Sequence, residues 1–586
     1  MVDLILKNGK MIDVSAQKIC QRDILIKDGI IVGIDGSGDQ DAGQVIDVSG
    51  KYVAPGFIDF HIHIESSMMS PIAFGREVIK HGTTAVFVDP HEIANVCGRK
   101  GIALFLDQAD RMPLDMYVGI PSCVPATDME TAGAAITLSD IKELLPGKRI
   151  YGLAEMMNFP GIIHGFGDAR EKVDLVYDYG KIVDGHCPGL RGEELKTYIS
   201  NGHDDISVRI MSDHETGQVE EAIEKSNLGM HVGLRYGSAS QDMDRILPGL
   251  VKKNINLDRF MLCSDDLDPI ELYQKGHVNR IIKRARDIIM ENSTHTLESA
   301  TTMAISLATL TPGRYISRFF KLQNLPEIGE ISNGKKANLV VFDSLETLEM
   351  DMVMVDGKIM VRNGTYVGEQ TGYDYSPFSG QVNIGNKLKS NDFKLKVKAK
   401  NSKINVKVID IIPGNIVTRS TQIAFEVRKN ELLADSVKDI AKIAVIERHH
   451  ATGNKTIGFV RGLGIKRGAI ASTVAHDSHN VIVAGVEDEK MARAVNYLAE
   501  KGGGMVAVAD AVYYFPLKIC GLMSDSPLEV IVREYRHIKN QVKKMGSPLE
   551  NTFMTLAFLA LPVIPELKIT DRGLVDVATF RFVNLF

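Results

Sequence analysis

The sequence predicts an α/β protein built on a (β/α)8 TIM-like barrel. A small β domain comes from both flanks of the barrel, and a separate α/β domain lies at the C-terminus. Three observations carry this reading. Apolar stretches that read as strands end near His63, Val88, Ile120, Glu155, His186, His214, Arg235 and Asp265. They lie roughly 21 to 35 residues apart, room each time for a strand, a helix and two loops, and a parallel barrel needs eight such units. Strand-and-turn texture brackets this middle on both sides, and a stretch rich in Gly, Ser, Asn and Asp over 367–395 separates it from the C-terminal third of the chain.

Residues 1–54 hold short apolar runs, Leu4-Ile5-Leu6, Ile24-Leu25-Ile26 and Ile30-Ile31-Val32, broken by Asn-Gly and Asp-Gly pairs that favour hairpins. The same texture returns in 328–376, so the two segments are expected to form one β domain. Residues 55–327 are the barrel. Its helices are exemplified by 270–291, where Val278, Ile281, Ile282, Ala285, Ile288 and Ile289 recur at helical spacing. An open doubly wound sheet would also alternate in this way, but eight strands favour closure. Residues 385–586 form the last domain, with strands at 403–409 and 441–446 and helices near 488–500 and 526–544.

Composition limits the function. At about 150 residues per domain, 586 residues suggest two to four domains. With 44% hydrophobic and 24% charged residues, the chain is neither disordered, collagen-like nor a disulfide scaffold. It has no Trp, so its cores rest on Leu, Ile, Val and Met. The net charge of −6 gives no global reason to bind nucleic acid or an anionic membrane. The basic pairs Lys252-Lys253 and Lys335-Lys336 read as solvated faces. The six cysteines are dispersed without a C-x-x-C pair, which fits a reducing compartment and excludes a cysteine-based zinc site. Neither a secretory leader nor an apolar run of about 18 residues is present. A cytoplasmic protein is expected.

The chemistry begins at His61-Ile-His63. On a strand, residues two apart face the same side, so both imidazoles point one way. At the C-terminal end of a barrel strand they reach the mouth, where such folds keep their active sites. Neutral imidazole is a good ligand for borderline divalent ions. With 16 His in 586 residues, about 0.4 such pairs arise by chance, so the pair alone is weak. Its context strengthens it: Glu155, His186, His214 and Asp265 stand at later strand ends. A set of ligand-type residues at that rim points to a metal centre.

Pro55-Gly-Phe-Ile-Asp-Phe-His-Ile-His, with the later His, His and Asp, resembles the amidohydrolase superfamily. The flanks, including Gly329-Glu-Ile-Ser-Asn-Gly-Lys-Lys-Ala-Asn338, resemble its composite β-sandwich, with Asn338 where Asp is usual. More specifically, the chain is similar to bacterial and archaeal adenine deaminases. That likeness rests on His63-Ile-Glu-Ser-Ser-Met-Met, Asp89-Pro-His-Glu-Ile, Leu153-Ala-Glu-Met-Met, Asp184-Gly-His-Cys-Pro-Gly-Leu and Ala475-His-Asp-Ser-His-Asn, and runs over nearly the whole chain.

The resemblance implies two divalent ions, His61, His63 and Asp265 on one, His186 and His214 on the other, with Glu155 bridging. Manganese is favoured, with iron and zinc as candidates. It implies hydrolysis of adenine to hypoxanthine and ammonia, a purine-salvage step, by metal-activated hydroxide at C6. Relatives that open cyclic amides usually carry a carboxylated Lys at the bridge; Glu155 and Met156 stand there in this chain. The zinc deaminases with His-x-Glu and Pro-Cys-x-x-Cys are excluded, since Pro121-Ser-Cys-Val-Pro lacks the second Cys.

Asp265 is the candidate base and proton shuttle. Glu215 is either a second acid/base group or an orienter of His214. Arg235, Tyr236 and Ser238 are candidate substrate contacts, with Tyr236 where the family has Glu. His91 and Glu92 are further candidates at the mouth. His476, Asp477 and His479, with Glu447 and His449 upstream, read either as an extra metal site on one helical face or as a lid. The expected partners are a small-molecule substrate (adenine) and further copies of the chain. The competing readings are a hydrolase of another purine or cyclic amide, and a non-catalytic binding protein on the same fold.

Overall fold

The computed structural model describes residues 1–34, 41–205, 207–398 and 402–586. Eight strands alternate with helices in the middle of the chain. They are β1 (Phe57–Ile62), β2 (Thr83–Val88), β3 (Asp115–Ile120), β4 (Ile150–Met156), β5 (Ile182–Gly185), β6 (Ser212–Asp213), β7 (His231–Arg235) and β8 (Phe260–Cys263). Nearly every residue in them is buried, as expected for parallel strands covered on both faces. Strands β1 to β5 pair in parallel in sequence order, as do β6 to β8. Met211 N–H donates to the Val183 carbonyl at 2.9 Å, joining β5 to the start of β6. A parallel bridge between Ile62 and Asp265 ties the end of β8 back to β1.

A nine-stranded sheet is assembled from both flanks of this region. The strand Tyr52–Pro55 pairs antiparallel with Leu339–Phe342, so the chain leaves this sheet into β1 and returns to it after the last helix. Asn338 donates to Asp115 on β3 at 3.0 Å and accepts the Asp356 N–H at 3.0 Å, which fastens this sheet to the base of the strands.

The C-terminal unit centres on an eight-stranded mixed sheet with the helices Asp488–Lys501 and Leu528–Lys544. Val382, Ile384 and Phe393, in the glycine- and serine-rich stretch, are buried in one of its cores, so that stretch is irregular but anchored. Two expectations change. The helix expected over 270–291 is two helices, Pro269–Lys275 and Val278–Asn292, parted at Gly276, whose φ of 85° ends the first. His476 to His479 lie in a turn between the strands Ala469–Ser472 and Val481–Gly485, not on a helix. Gly462, Gly464 and Gly468, in the segment after the strand Lys455–Arg461, all adopt positive φ. Among the described residues no helix is long and apolar enough to cross a membrane.

Candidate metal centre and its roof

The strand ends bring six ligand-type side chains together. His61 and His63 leave β1 on one face, and their Nε2 atoms stand 3.1 Å apart. Asp265 lies just past the end of β8. Its N–H donates to the His61 carbonyl at 3.1 Å and its carbonyl accepts the His63 N–H at 3.2 Å. This register sets its carboxylate Oδ1 3.5 Å from His61 Nε2 and 3.2 Å from His63 Nε2. Glu155 on β4 lies across from them. One of its oxygens is 2.7 Å from His186 Nδ1 and 3.2 Å from His214 Nε2. The other is 3.6 Å from His63 Nε2 and 3.5 Å from His91 Nδ1.

This set fits divalent cations. Two Nε2 atoms facing each other at 3.1 Å share at most one proton between them, and both also face carboxylate oxygens. His61 Nδ1 and His214 Nδ1 are buried without a protein partner among the described residues. Imidazole nitrogen with carboxylate oxygen is a donor set for first-row divalent metals. Burial opposes charge on Glu155, but His186 and His214 hold its carboxyl well below the usual range. Burial opposes charge on Asp265 too, and His61, His63 and Arg235 hold it low. His61 is pulled down by burial and by His214, whereas Glu155 overcomes burial and holds His214 at about 9.

Arg235 ends β7 and closes one side. Its Nε and Nη2 donate to Asp242 at 2.9 and 2.6 Å, while Nη1 donates to Asp265 at 2.9 Å and also to Glu215. The carboxylate of Asp265 is thus held between two imidazoles and a guanidinium.

Opposite this, the helix His91–Cys97 begins at the mouth. His91 Nδ1 is 3.3 Å from Asp89 Oδ2, and Glu92 reaches up to the C-terminal unit. There His476 Nδ1 lies 2.8 Å from Glu92, and His479 Nε2 touches its other oxygen. His479 Nδ1 accepts the Ala475 N–H at 3.1 Å, so in the neutral ring the proton is on Nε2 and is donated to Glu92. The C-terminal unit thereby roofs the mouth. The cavity beneath is lined by Glu65, Asp266 and Glu92 on the strand side and by Met505, Leu522 and Phe558 on the roof. Burial and the Glu92 charge push Glu65 up to about 7, and burial and Asp265 push Asp266 up to about 6.

The model of the amidohydrolase family matches residues 52–360, and the model of the adenine deaminase C-terminal domain matches residues 415–581. An adenine deaminase of Desulfatibacillum aliphaticivorans is 40% identical over 586 residues, covering 100% of this chain and 97% of that one. The chain belongs to the adenine deaminase family of amidohydrolases. A second adenine deaminase, from Methanothrix thermoacetophila, is 39% identical over 100% of this chain and 97% of its own. Among solved structures, a β-aspartyl dipeptidase from Fervidobacterium islandicum is 13% identical with a TM-score of 0.46, over 64% of this chain and all of that one.

Within this adenine deaminase family member, most residues singled out from sequence converge. His61, His63, Glu155, His186, His214, Asp265, Glu215, Arg235, His91 and Glu92 are linked by side-chain contacts, and His476, Asp477 and His479 join that network at Glu92 and His91. Ser238 and Tyr236 are engaged elsewhere. Ser238 Oγ donates to Glu271 at 2.6 Å and accepts the Asp268 N–H at 2.8 Å. The Tyr236 ring lies under the Arg280 guanidinium, 5.4 Å away. Glu447 caps the N–H groups of His450 and Thr452 at 2.6 and 2.8 Å, and His449 pairs with the Ser478 carbonyl at 2.7 Å; both shape the roof turn.

Sequence reasoning missed Asp242, and it missed buried Lys225, which donates to Asp213, Glu221 and the Cys187 carbonyl at 2.7 to 2.9 Å. Lys225 ties down the residues beside His186 and His214. In sequence, Glu221 and Lys225 read as an ordinary exposed pair on a helix. The adjacency of Asp213 to His214 was the available signal.

Proposed function

We propose that the protein deaminates adenine hydrolytically, releasing hypoxanthine and ammonia, within a closed (β/α)8 barrel (55–327). The composite β-sandwich (1–54 and 328–376) flanks the barrel and the C-terminal domain (385–586) covers it. The observation that carries this reading is the meeting of six ligand-type side chains beneath the roof in a chain matched end to end by adenine deaminases.

His61, His63 and Asp265 would hold one divalent cation and His186 and His214 a second, with Glu155 between them; manganese is the favoured ion, iron or zinc the alternatives. Cations bound there lower the pKa of water toward about 7, supplying a nucleophile near neutral pH. The remaining work belongs to side chains. Asp265 takes the proton of the attacking water and delivers it to the departing amine, so that adenine and water become hypoxanthine and ammonia. Arg235, braced by Asp242, fixes the orientation of Asp265. Glu215, paired with Arg235, helps orient that guanidinium. Glu65, Asp266 and Glu92 present polar edges to the purine, and Phe558 with its apolar neighbours covers the flat face and keeps bulk water out. His476 and His479 act as a lid that holds Glu92, because the His479 Nε2 lone pair is spent on a proton.

Metal analysis of the purified protein together with an adenine-to-hypoxanthine absorbance assay tests the reading. Activity that rises with the bound ions is expected, and a metal-loaded protein inert toward adenine overturns it. Asp265→Asn should abolish turnover while leaving the circular dichroism spectrum and melting midpoint close to wild type. Undiminished turnover in that variant would reject the role assigned to Asp265.

A further inference from the structure

Two cysteines separated by 423 positions meet beneath the roof. Cys97 ends the helix that begins with His91 and Glu92, and its Sγ lies 2.7 Å from Cys520 Sγ. Both are free thiols, Cys97 half-buried and Cys520 buried. Arg448 stands beside them, fully buried. Its Nη1 donates to the Cys520 carbonyl at 3.1 Å and the Gln381 carbonyl at 3.3 Å, but Nε and Nη2 have no partner among the described residues. A buried guanidinium with two idle donors calls for an anion. Gly521 (φ +72°) makes room for it, since a Cβ there would strike the guanidinium.

We infer that Cys97, Cys520 and Arg448 form a thiol-oxidation site, at which a small hydroperoxide converts the two cysteines into a disulfide joining the barrel helix to the C-terminal unit. The half-buried thiol is the one a small oxidant reaches, and the buried thiol is the one placed to resolve the product. The proton distribution agrees. The hydrogen bond from Cys520, with help from Arg448 and Lys100, lowers the Cys97 thiol, while the same hydrogen bond and burial raise the Cys520 thiol. The Cys97 thiolate attacks the terminal oxygen of the hydroperoxide, the O–O bond breaks, and the alcohol leaves with a proton, giving a sulfenic acid. The sulfur of Cys520 then displaces hydroxide, which departs as water with the Cys520 proton, and the S–S bond forms. Two thiols lose two electrons, and the hydroperoxide is reduced to an alcohol (water for hydrogen peroxide) and a second water. The inference does not depend on the identity of the substrate.

The test uses the full-length, metal-loaded protein and dilute hydrogen peroxide. After acid quenching without reductant, the wild type should lose two of its six thiols and about 2 Da of mass. It should also yield a linked peptide containing Cys97 and Cys520 that dithiothreitol separates. Cys97→Ser should keep its remaining thiols, Cys520→Ser should lose the Cys97 thiol alone to unresolved sulfenic acid, and neither should give the linked peptide. Iodoacetamide should label Cys97 in the wild type with a pH midpoint below the free-thiol value of about 8.5, and Arg448→Lys should slow that labelling several-fold. Six surviving thiols overturn the inference. So do a link through another cysteine, and Cys97 oxidised to sulfinic acid with Cys520 still a thiol.

Discussion

Asp265 illustrates how much of the site depends on side chains that touch only other side chains. Its carboxylate is set by Arg235, and Arg235 is set by Asp242, which accepts from both Nε and Nη2. Asp242→Asn should loosen the guanidinium, lowering kcat by about 10- to 100-fold with little change in bound cation, as read by steady-state kinetics beside metal analysis. Loss of the cations instead would assign Asp242 to the fold. His479→Ala removes one of the three imidazoles around Glu92, leaving His91 and His476, and should raise KM for adenine more than it lowers kcat, since Glu92 borders the cavity and lies outside the six-residue cluster. At this scale the sequence was legible where chemistry is written in residue type, as in His61, His63, His186, His214, Glu155 and Asp265. It was silent where the same type serves two purposes: Lys225 and Asp242 look like any other charged residues until their burial is known. The Ser238 hydroxyl bridges Glu271 and the Asp268 N–H, a pairing that residue type does not announce.

The strands were legible because buried parallel strands are uninterrupted apolar runs of a few residues, and their ends fell at turn-rich or ligand-type residues. Helix ends were harder. Gly276 divides a pattern that is periodic on both sides of it, and His476 with His479 shows a helical spacing that a turn produces equally well. Strand glycines carry a cost that the pattern hides. A Cβ on Gly152 in β4 would overlap the Ile182 carbonyl of β5, and one on Gly233 in β7 would press on Phe60 and His214. Gly233→Val should therefore displace His214 and reduce cation content and activity together. Lys568, in the strand Leu567–Ile569, is buried with only carbonyl partners, those of Ile416 and Phe558 at 2.8 and 3.0 Å, and burial lowers it to about 7. Between pH 7 and its unfolded value near 10.5, the unfolded chain holds a proton that the folded one lacks. Stability should therefore rise with pH across that window, by on the order of 4 kcal/mol. In Lys568→Met this part of the slope should vanish from melting midpoints measured between pH 7 and 9.5.

At the scale of the molecule, the C-terminal unit is sewn to the strand region by contacts no local pattern announces. Asp571 accepts from Thr131 N–H and Oγ at 2.9 and 2.7 Å, Asn480 donates to the Thr131 carbonyl at 2.8 Å, and Thr570 donates to that of Met129 at 2.7 Å. The glycine- and serine-rich stretch over 367–395 stands out in composition, but which surfaces meet is a three-dimensional matter that one sequence does not encode locally. Asp571→Ala should weaken the docking by about 1–3 kcal/mol, seen as faster limited proteolysis between residues 367 and 395 with the core fragments intact. The helix-and-roof arrangement around Glu92 also bears on biosynthesis. A chain emerging from the ribosome carries His61 to Asp265 before His476 and His479 are made, so the cluster can meet ions before the turn that contacts Glu92 is in place. On the proposed reading, in which His476 and His479 cover the cation-holding cluster, recovery from a chelator should lag behind recovery of chains refolded in the presence of the ion.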